Sequence, residues 1–520
     1  MIEETKKGSM DPKDSARSSP ADPFFSRDHL QANLAGRTMR GGTIAITTQG
    51  IKFCITIVAT SILARLLTPE DYGLIGMVAF VIAFLSTYKD LGLAAATIQI
   101  PDLNSDQVST LFWINVSVSA TVSILIVAIS PFISRFYGES RLTGIASVTA
   151  IGFLISGFAV QHDALLRRQM RYAAIATAGL VSMIIGYVVA IVMAWRGFGY
   201  WSLVGSQLAL VSSNTALTFL LCGWFPGWPK RNSGVRSMIK FGGNVTGFAT
   251  INFFSRNLDN LLIGRMWGAQ QLGVYSRAYQ LMMLPIDQIN EPLTSVAVPT
   301  LSTLAGSPER YRKAYLRIIE KIALITMPGV ALMIATADWI VQIVLGSKWS
   351  AAASILLCLG FTGMFQPIAN TTGWLLLSQG RSGDMLRWGF ISGPLIILSI
   401  LAGLPWGAFG VALAYSVGRI FVNDPLLYWF VGRKGPVRTR DFYVTMAPFA
   451  VASLMALLAS VGFRYGLRVE DPLVGIGACL GLTLVVTFVV LICIPAGRKA
   501  LQDVKISTFS LFSTKTIIDA

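Results

Sequence analysis

The chain has 520 residues, of which 53% are hydrophobic and 13% charged, and its formal net charge is +16. A soluble domain carries about 25% charged residues, so this composition excludes a soluble globular protein. Apolar stretches of about 20 residues, enough to cross a hydrocarbon core of roughly 30 Å, recur to the end of the chain. The basic residues lie in short tracts between these stretches, as in cytoplasmic loops, which argues against nucleic acid as a partner.

The first 40 residues are polar, follow no periodic pattern and lack the apolar core of a signal peptide, so they predict a disordered cytosolic tail. Residues 498–520 predict a second cytosolic tail. Five cysteines fall in apolar stretches without CxxC spacing, and only two histidines occur. We therefore expect no disulfide framework, no metal site and no cofactor. The sequence also has no nucleotide-binding motif, so ATP-driven transport by this chain is not expected.

The pattern predicts an all-α, polytopic membrane protein with about fourteen transmembrane helices. Their centres lie near residues 54, 80, 120, 153, 184, 210, 252, 288, 325, 364, 395, 418, 453 and 483. With the N-terminus inside, inner segments hold 30 Lys and Arg residues and outer loops hold 8. By the positive-inside rule this bias predicts a multi-pass protein of the bacterial inner membrane with both termini cytoplasmic.

An internal repeat divides the predicted spans into two sets. Residues 62–73 align with residues 262–273 at an offset of 200, which places Arg265 opposite Arg65 and Gly273 opposite Gly73. Six spans separate the copies, so both have the same orientation in the membrane. Parallel repeats of this kind are typical of transporters with alternating access.

The repeat predicts two parallel six-helix lobes with two extra helices. The predicted boundaries are 41–225 for the N-lobe, 226–432 for the C-lobe and 433–497 for the additional spans.

Cations within the predicted spans are the first candidates for a substrate site. Lys52 lies about ten residues into the first span, roughly 15 Å by helical rise. An ionisable residue at this depth costs about 2.5–3.5 kcal/mol, so Lys52 needs either an anionic ligand in a wet cavity or an acid from another span. In span seven, Arg256 with Asn257 could bind a diphosphate bidentately, or Arg256 could pair with Asp259 three residues later.

Acidic residues within the spans are candidates for coupling or for lining the cavity. Asp259 is one, and Asp287 and Glu291 share a face of span eight, where mutual repulsion favours retention of a proton. The alternative is that Asp287 and Glu291 are hydrated residues of the cavity wall with no role in coupling. In span twelve, Arg419 is a further diphosphate candidate and Asp424 a further acid; five residues apart, they lie about 140° around a helix and are not expected to pair.

Short motifs in both repeats resemble the polysaccharide-transporter family. They are Leu67–Gly73, Asp90–Leu93, Leu261–Arg265 and Val298–Ser302. This is the Wzx-type lipid-linked oligosaccharide flippase group of the multidrug/oligosaccharidyl-lipid/polysaccharide exporter superfamily. The resemblance implies a flippase that moves an undecaprenyl-diphosphate-linked oligosaccharide repeat unit to the periplasmic leaflet, for exopolysaccharide or lipopolysaccharide assembly. It also implies contact with membrane lipids and with polysaccharide polymerase or export partners.

Two other functions are compatible with a polytopic membrane protein. A multidrug exporter of the same superfamily would favour acids in the first lobe, where the first span offers Lys52 and no acid. A membrane glycosyltransferase or polymerase would need catalytic carboxylates or metal ligands on sizeable loops, and the predicted outer loops are short. The chain is therefore not expected to be an enzyme.

Overall fold

The computed structural model describes residues 34–86, 93–99, 103–230, 236–467, 469, 471–499 and 501–502. Within these residues the chain forms helices and no β-strand. The helices are α1 (Leu34–Leu66), α2 (Pro69–Ser86), α3 (Leu93–Gln99), α4 (Ser105–Tyr137), α5 (Arg141–Arg168), α6 (Tyr172–Trp195), α7 (Trp201–Cys222), α8 (Arg236–Thr303), α9 (Pro308–Ala335), α10 (Ala337–Val344), α11 (Ala351–Ser378), α12 (Ser382–Gly403), α13 (Gly407–Gly418), α14 (Asp424–Gly432), α15 (Thr439–Leu467) and α16 (Pro472–Cys493).

Eleven helical segments of the described chain are long and apolar enough to cross a membrane. One of them, Ser382–Gly432, contains two predicted span centres, and α8, which is not among the eleven, contains two more. All fourteen predicted centres lie within helices. The all-α, multi-pass membrane fold is therefore confirmed, while the number of fourteen spans and the lobe boundaries stay predictions.

The predicted terminal tails differ in part from the structure. Residues 1–33 lie outside the described residues, but residues 34–40 belong to α1 rather than to a disordered tail. Leu34, Ala35 and Met39 are good helix formers, and no proline interrupts the segment. Of the predicted tail 498–520, residues 498–499 and 501–502 are helical, and the others lie outside the described residues.

Helix α8 is long because two helices meet end to end at Gly268. This residue has φ 77° and ψ −178°, a conformation that a side chain would disfavour. The repeat offset aligns Gly268 with Thr68, which lies in the break between α1 and α2. The end of α1 and the middle of α8 are thus equivalent turns. We refer to α1–α7 as the first half and to α8–α14 as the second half.

The two halves touch backbone to backbone in a reciprocal contact. A Cβ added to Gly73 would lie 1.7 Å from the carbonyl oxygen of Ala269, and one added to Gly273 would lie 1.8 Å from that of Pro69. The offset of 200 exchanges these two pairs. The contact therefore has the local two-fold symmetry that the repeat predicts. It requires glycine at both positions, because real Cβ contacts are essentially never shorter than 3.0 Å.

A second contact joins the same end of α1 to the second half. The indole of Trp349 donates to the carbonyl oxygen of Ala64 at 2.9 Å, and its ring meets Tyr72 edge to face at 5.4 Å. The Arg65 guanidinium donates to the carbonyl oxygen of Ile343 at 2.9 Å. Trp349 is fully buried. These contacts hold the halves together at the predicted outer end of the helices.

Candidate functional site

Lys52 lies at the interface between α1 and α6. It is half-buried, fourteen residues before the end of α1, so about 21 Å of helix separates it from Leu66. Its Nζ comes within 3.4 Å of where a Cβ on Gly179 would be. Among the described side chains, no carboxylate lies within 4 Å of Nζ. The ion pair that was one of the two predicted explanations for Lys52 is therefore not formed with any described residue.

The polar residues predicted in span seven are only partly described. The Arg256 side chain lies outside the described residues, and Asn257 is half-buried. The Asp259 carboxylate is buried and accepts hydrogen bonds from the Tyr275 hydroxyl and from the backbone N–H of Asn260, both at 2.8 Å. Asp259 therefore has one partner in its own helical segment and a second partner, Tyr275, beyond the break at Gly268.

The prediction that Arg419 and Asp424 do not pair is wrong. The Arg419 Nε lies 3.0 Å from Asp424 Oδ1, and the Arg419 side chain also donates to the Tyr415 hydroxyl at 3.1 Å. The reason is a π-helical segment over Arg419–Asn423. A π turn closes its hydrogen bond at i→i+5, so it aligns side chains that an α-helix would separate. The pair is buried, with side-chain exposures of 14% and 4%.

Of the two acidic residues predicted to share a face of span eight, the structure describes the side chain of only one. Asp287 is half-buried within α8, and the Glu291 side chain lies outside the described residues. The distance between the two carboxylates, on which the coupling hypothesis depends, therefore stays a prediction from their spacing.

Arg277, which the sequence count assigns to an outer loop, lies within α8 and is a further candidate cation. It lies nine residues beyond Gly268 in α8, about 14 Å along the helix, and its guanidinium lies over the Tyr72 ring at 4.0 Å. One Nη donates to Gln280, whereas Nε is buried without a hydrogen-bond partner among the described residues. No described carboxylate pairs with it. The repeat could have identified it, because it aligns with Met77, a buried apolar residue of α2.

Two of the cavities lined by described residues contain none of the predicted site residues. One, of about 380 Å³, lies between α2, α5 and α7 and is mainly apolar, with Ser86, Thr149, Ser156 and Gln207 as polar lining residues. The other, of about 580 Å³, lies where α9 and α15 begin and carries three arginines.

An ion cluster connects the N-terminal ends of α2 and α5. Arg141 Nη2 lies 2.5 Å from Glu70 Oε1 and 2.7 Å from Glu139 Oε2. The hydrogen bonds from Arg141 hold the pKa of Glu139 below its ordinary value. Glu139 lies in the turn between α4 and α5, outside the helices that cross the membrane.

This cluster predicts a small loss of stability in acid. A carboxyl group whose folded pKa is lowered contributes stability that is fully present above its ordinary pKa of about 4.3 and is lost as the pH falls through the folded value. We expect Glu139→Gln to cost about 0.2–1 kcal/mol at pH 7, because the pair is partly exposed, and to cost less at pH 3, where the carboxyl group is protonated to a larger extent. Unfolding midpoints of wild type and variant at both pH values check this; an equal difference at both would contradict it.

The fold and its embedded charges define an all-α, multi-pass membrane protein. The chain belongs to the polysaccharide biosynthesis protein family, which it matches over residues 62–354. This confirms the resemblance predicted from the sequence motifs.

Relatives from several bacteria carry names from polysaccharide assembly. The teichuronic acid biosynthesis protein TuaB of Bacillus subtilis is 28% identical over 78% of this chain and 85% of its own length. The lipopolysaccharide biosynthesis protein WzxC of Escherichia coli is 24% identical over 76% and 81%. The succinoglycan biosynthesis transport protein ExoT of Rhizobium meliloti is 22% identical over 79% and 83%.

Solved transporter structures have the same fold. The lipid II flippase MurJ, in an inward closed conformation, superposes with a TM-score of 0.69 at 12% identity, covering 87% of this chain and 98% of MurJ. The multidrug transporter DinF-BH superposes at 0.55 with 15% identity, covering 81% and 99%. At these identities the likeness concerns the fold alone.

Proposed function

We propose that the chain is a flippase for an undecaprenyl-diphosphate-linked oligosaccharide repeat unit. It moves the unit from the cytoplasmic to the periplasmic leaflet for exopolysaccharide or lipopolysaccharide assembly. Its family, the relatives with names from polysaccharide biosynthesis and the fold of a lipid II flippase support this proposal. The protein lies in the bacterial inner membrane with both termini cytoplasmic, and it supplies a polysaccharide polymerase or export partner.

The observation that carries this proposal is a pair of helical cations, one on each half. Lys52 of α1 and Arg277 of α8 lie within helices and have no described carboxylate partner. Since an uncompensated charge in the membrane is costly, each needs an anion at some step of the cycle. The diphosphate of a lipid-linked sugar provides it, and guanidinium binds phosphate with two parallel hydrogen bonds. A cationic drug would be repelled by both residues.

Movement between the halves exposes this region first to one side and then to the other. The reciprocal glycine contact closes the outer end in the present conformation. Arg256 and Asn257 extend the diphosphate site from span seven, and Asp259, Asp287 and Glu291 are the candidate acids for coupling. The ion pair of Arg419 with Asp424 neutralises both groups and acts as a fixed structural element.

The test is a leaflet-sidedness assay with labelled polyprenyl-diphosphate oligosaccharide in vesicles. Each of Lys52→Met and Arg277→Met should reduce the transport rate roughly 10- to 100-fold, because each removes a charge-assisted bond of about 1.5–3 kcal/mol to the diphosphate. Lys52→Arg should retain part of the activity. The half-saturation concentration should rise with loss of charge, which a purely structural defect would not produce.

Arg433→Met is the matched control, because this exposed arginine stacks on Trp429 at 4.3 Å outside the embedded region. It should transport like wild type. Normal transport by both Lys52→Met and Arg277→Met, with unchanged substrate dependence, would contradict the proposed site.

A further inference from the structure

A basic cavity lies on the predicted cytoplasmic side, away from Lys52 and Arg277. It has a volume of about 580 Å³ and lies between the first turns of α9 and α15, where the connection after α14 passes. Arg312 of α9 and Arg438 and Arg440, beside the start of α15, provide three positive charges, and Asp441 provides one negative charge. The lining is therefore strongly cationic.

The single carboxylate of the cavity is already fully engaged. Asp441 accepts from Arg312 Nε at 2.8 Å and from Arg312 Nη2 at 2.5 Å, and also from the backbone N–H of Arg438 at 2.8 Å. Asp441 thus fixes Arg312 and the entry to α15. No carboxylate of the described chain lies within 4 Å of the exposed guanidinium groups of Arg438 or Arg440. Both remain available to an external anion.

Two guanidinium groups that line one cavity, neither within 4 Å of a described carboxylate, suit a phosphate. Each presents a planar fork of donors that matches two phosphate oxygens, and a third cation, Arg312, stands in the same cavity. A basic pocket between membrane helices on the cytoplasmic side is the setting in which acidic lipid headgroups bind.

An apolar stripe leads from this cavity into the membrane. The stripe begins at Val444, which lines the cavity. It continues along α15 with three residues whose exposed fractions are 47–63% and which lie seven, eleven and fourteen positions further on: Val451, Met455 and Leu458. This spacing places the four side chains on one helix face over about 21 Å. An acyl chain attached to a phosphate in the cavity can lie along this face. A soluble phosphate compound would make no use of it.

We propose that the cavity of Arg312, Arg438 and Arg440 binds the phosphate headgroup of an anionic phospholipid, whose acyl chain packs on the Val444–Leu458 face of α15. The site is separate from the proposed substrate site and does not depend on the flippase function. It anchors α15, one of the two predicted additional spans, to the cytoplasmic leaflet.

The experiment uses the full chain in detergent micelles with a fluorescent phosphatidylglycerol as probe. Wild type should bind it with at least tenfold preference over phosphatidylcholine, and the double variant Arg438→Gln/Arg440→Gln should lose this preference. Arg433→Gln removes an exposed charge on the same side, and it should bind like wild type. Unfolding midpoints of the variants identify any misfolded protein. Val451→Asn should weaken binding of the lipid probe and leave the binding of inorganic phosphate unchanged.

Three outcomes would overturn the proposal. Equal preference in wild type and double variant would show that the cavity is not the site. An equal loss in Arg433→Gln would indicate diffuse surface charge. Displacement of the lipid probe by inorganic phosphate at low concentration, with no effect of Val451→Asn, would identify a soluble phosphate compound as the ligand.

Discussion

Replacing Gly73 or Gly273 with alanine should lower the transport rate roughly 5- to 150-fold while leaving membrane insertion intact. An alanine Cβ at Gly73 would lie 1.7 Å from the Ala269 carbonyl oxygen, so the two backbones would have to separate by more than 1 Å to reach 3.0 Å. Forcing a methyl group into a packed interface costs about 1–3 kcal/mol. Because only the closed outer end contains this contact, that cost shifts the equilibrium away from the closed state roughly 5- to 150-fold.

The leaflet-sidedness assay measures the transport rate, and cross-linking of cysteines at residues 65 and 343, which meet across the halves in wild type, measures closure. Gly329→Ala is the matched control, since its Cβ would meet no atom within 4 Å in α9; it should be neutral or slightly stabilising. The double variant Gly73→Ala/Gly273→Ala should be less harmful than the sum of the two, because one separation relieves both clashes. Full cross-linking in Gly73→Ala would show that the contact does not control closure.

The repeat made this contact partly predictable from the sequence. Gly73 and Gly273 were aligned at an offset of 200, and an orientation shared by both copies followed from counting spans. The sequence did not indicate that the two glycines face each other, because a contact between residues 200 positions apart depends on how the halves dock. The length of the apolar segments and the distribution of basic residues predict which segments lie in the membrane. Neither feature contains information on how the two halves pack against each other.

The charged residues show where prediction from helical geometry fails. The 140° separation assumed for Arg419 and Asp424 holds only for a regular α-helix, and the π segment between them cancels it. No propensity marks such a segment in a sequence. The sequence does not mark Arg277 as a helical residue, because polar residues on both sides of Gly268 have the composition of a loop, and only the backbone shows that the chain continues as a helix.

Lys52 illustrates the opposite case. Its depth and lack of a neighbouring acid were evident from the sequence, and the structure adds its position beside Gly179. The sequence does not distinguish an external anion from an acid on a distant helix, because any of the other spans could supply the acid. The three-dimensional structure shows which side chains surround Lys52. Among the described side chains, none supplies the acid.

Removing the carboxylate of Asp424 should destabilise the protein more than breaking an exposed ion pair of the described chain. Asp424→Ala leaves the Arg419 guanidinium, which is only 14% exposed, without its counter-ion in the low-dielectric interior. An uncompensated buried charge of this kind costs about 3–5 kcal/mol. Replacing both partners with apolar residues, as Arg419→Met/Asp424→Leu, should restore most of the stability, because no buried charge then remains.

The free energy of unfolding in mixed micelles with a denaturing detergent checks this prediction. Asp163→Ala is the control: it breaks an i,i+4 pair with Arg167 at 2.7 Å whose side chains are 53% and 40% exposed, so it should cost about 0.2–1 kcal/mol. If Asp424→Ala costs no more than Asp163→Ala, water reaches Arg419 in the folded protein. Arg419 would then line a hydrated cavity and return as a candidate for binding the diphosphate, which the closed ion pair otherwise prevents.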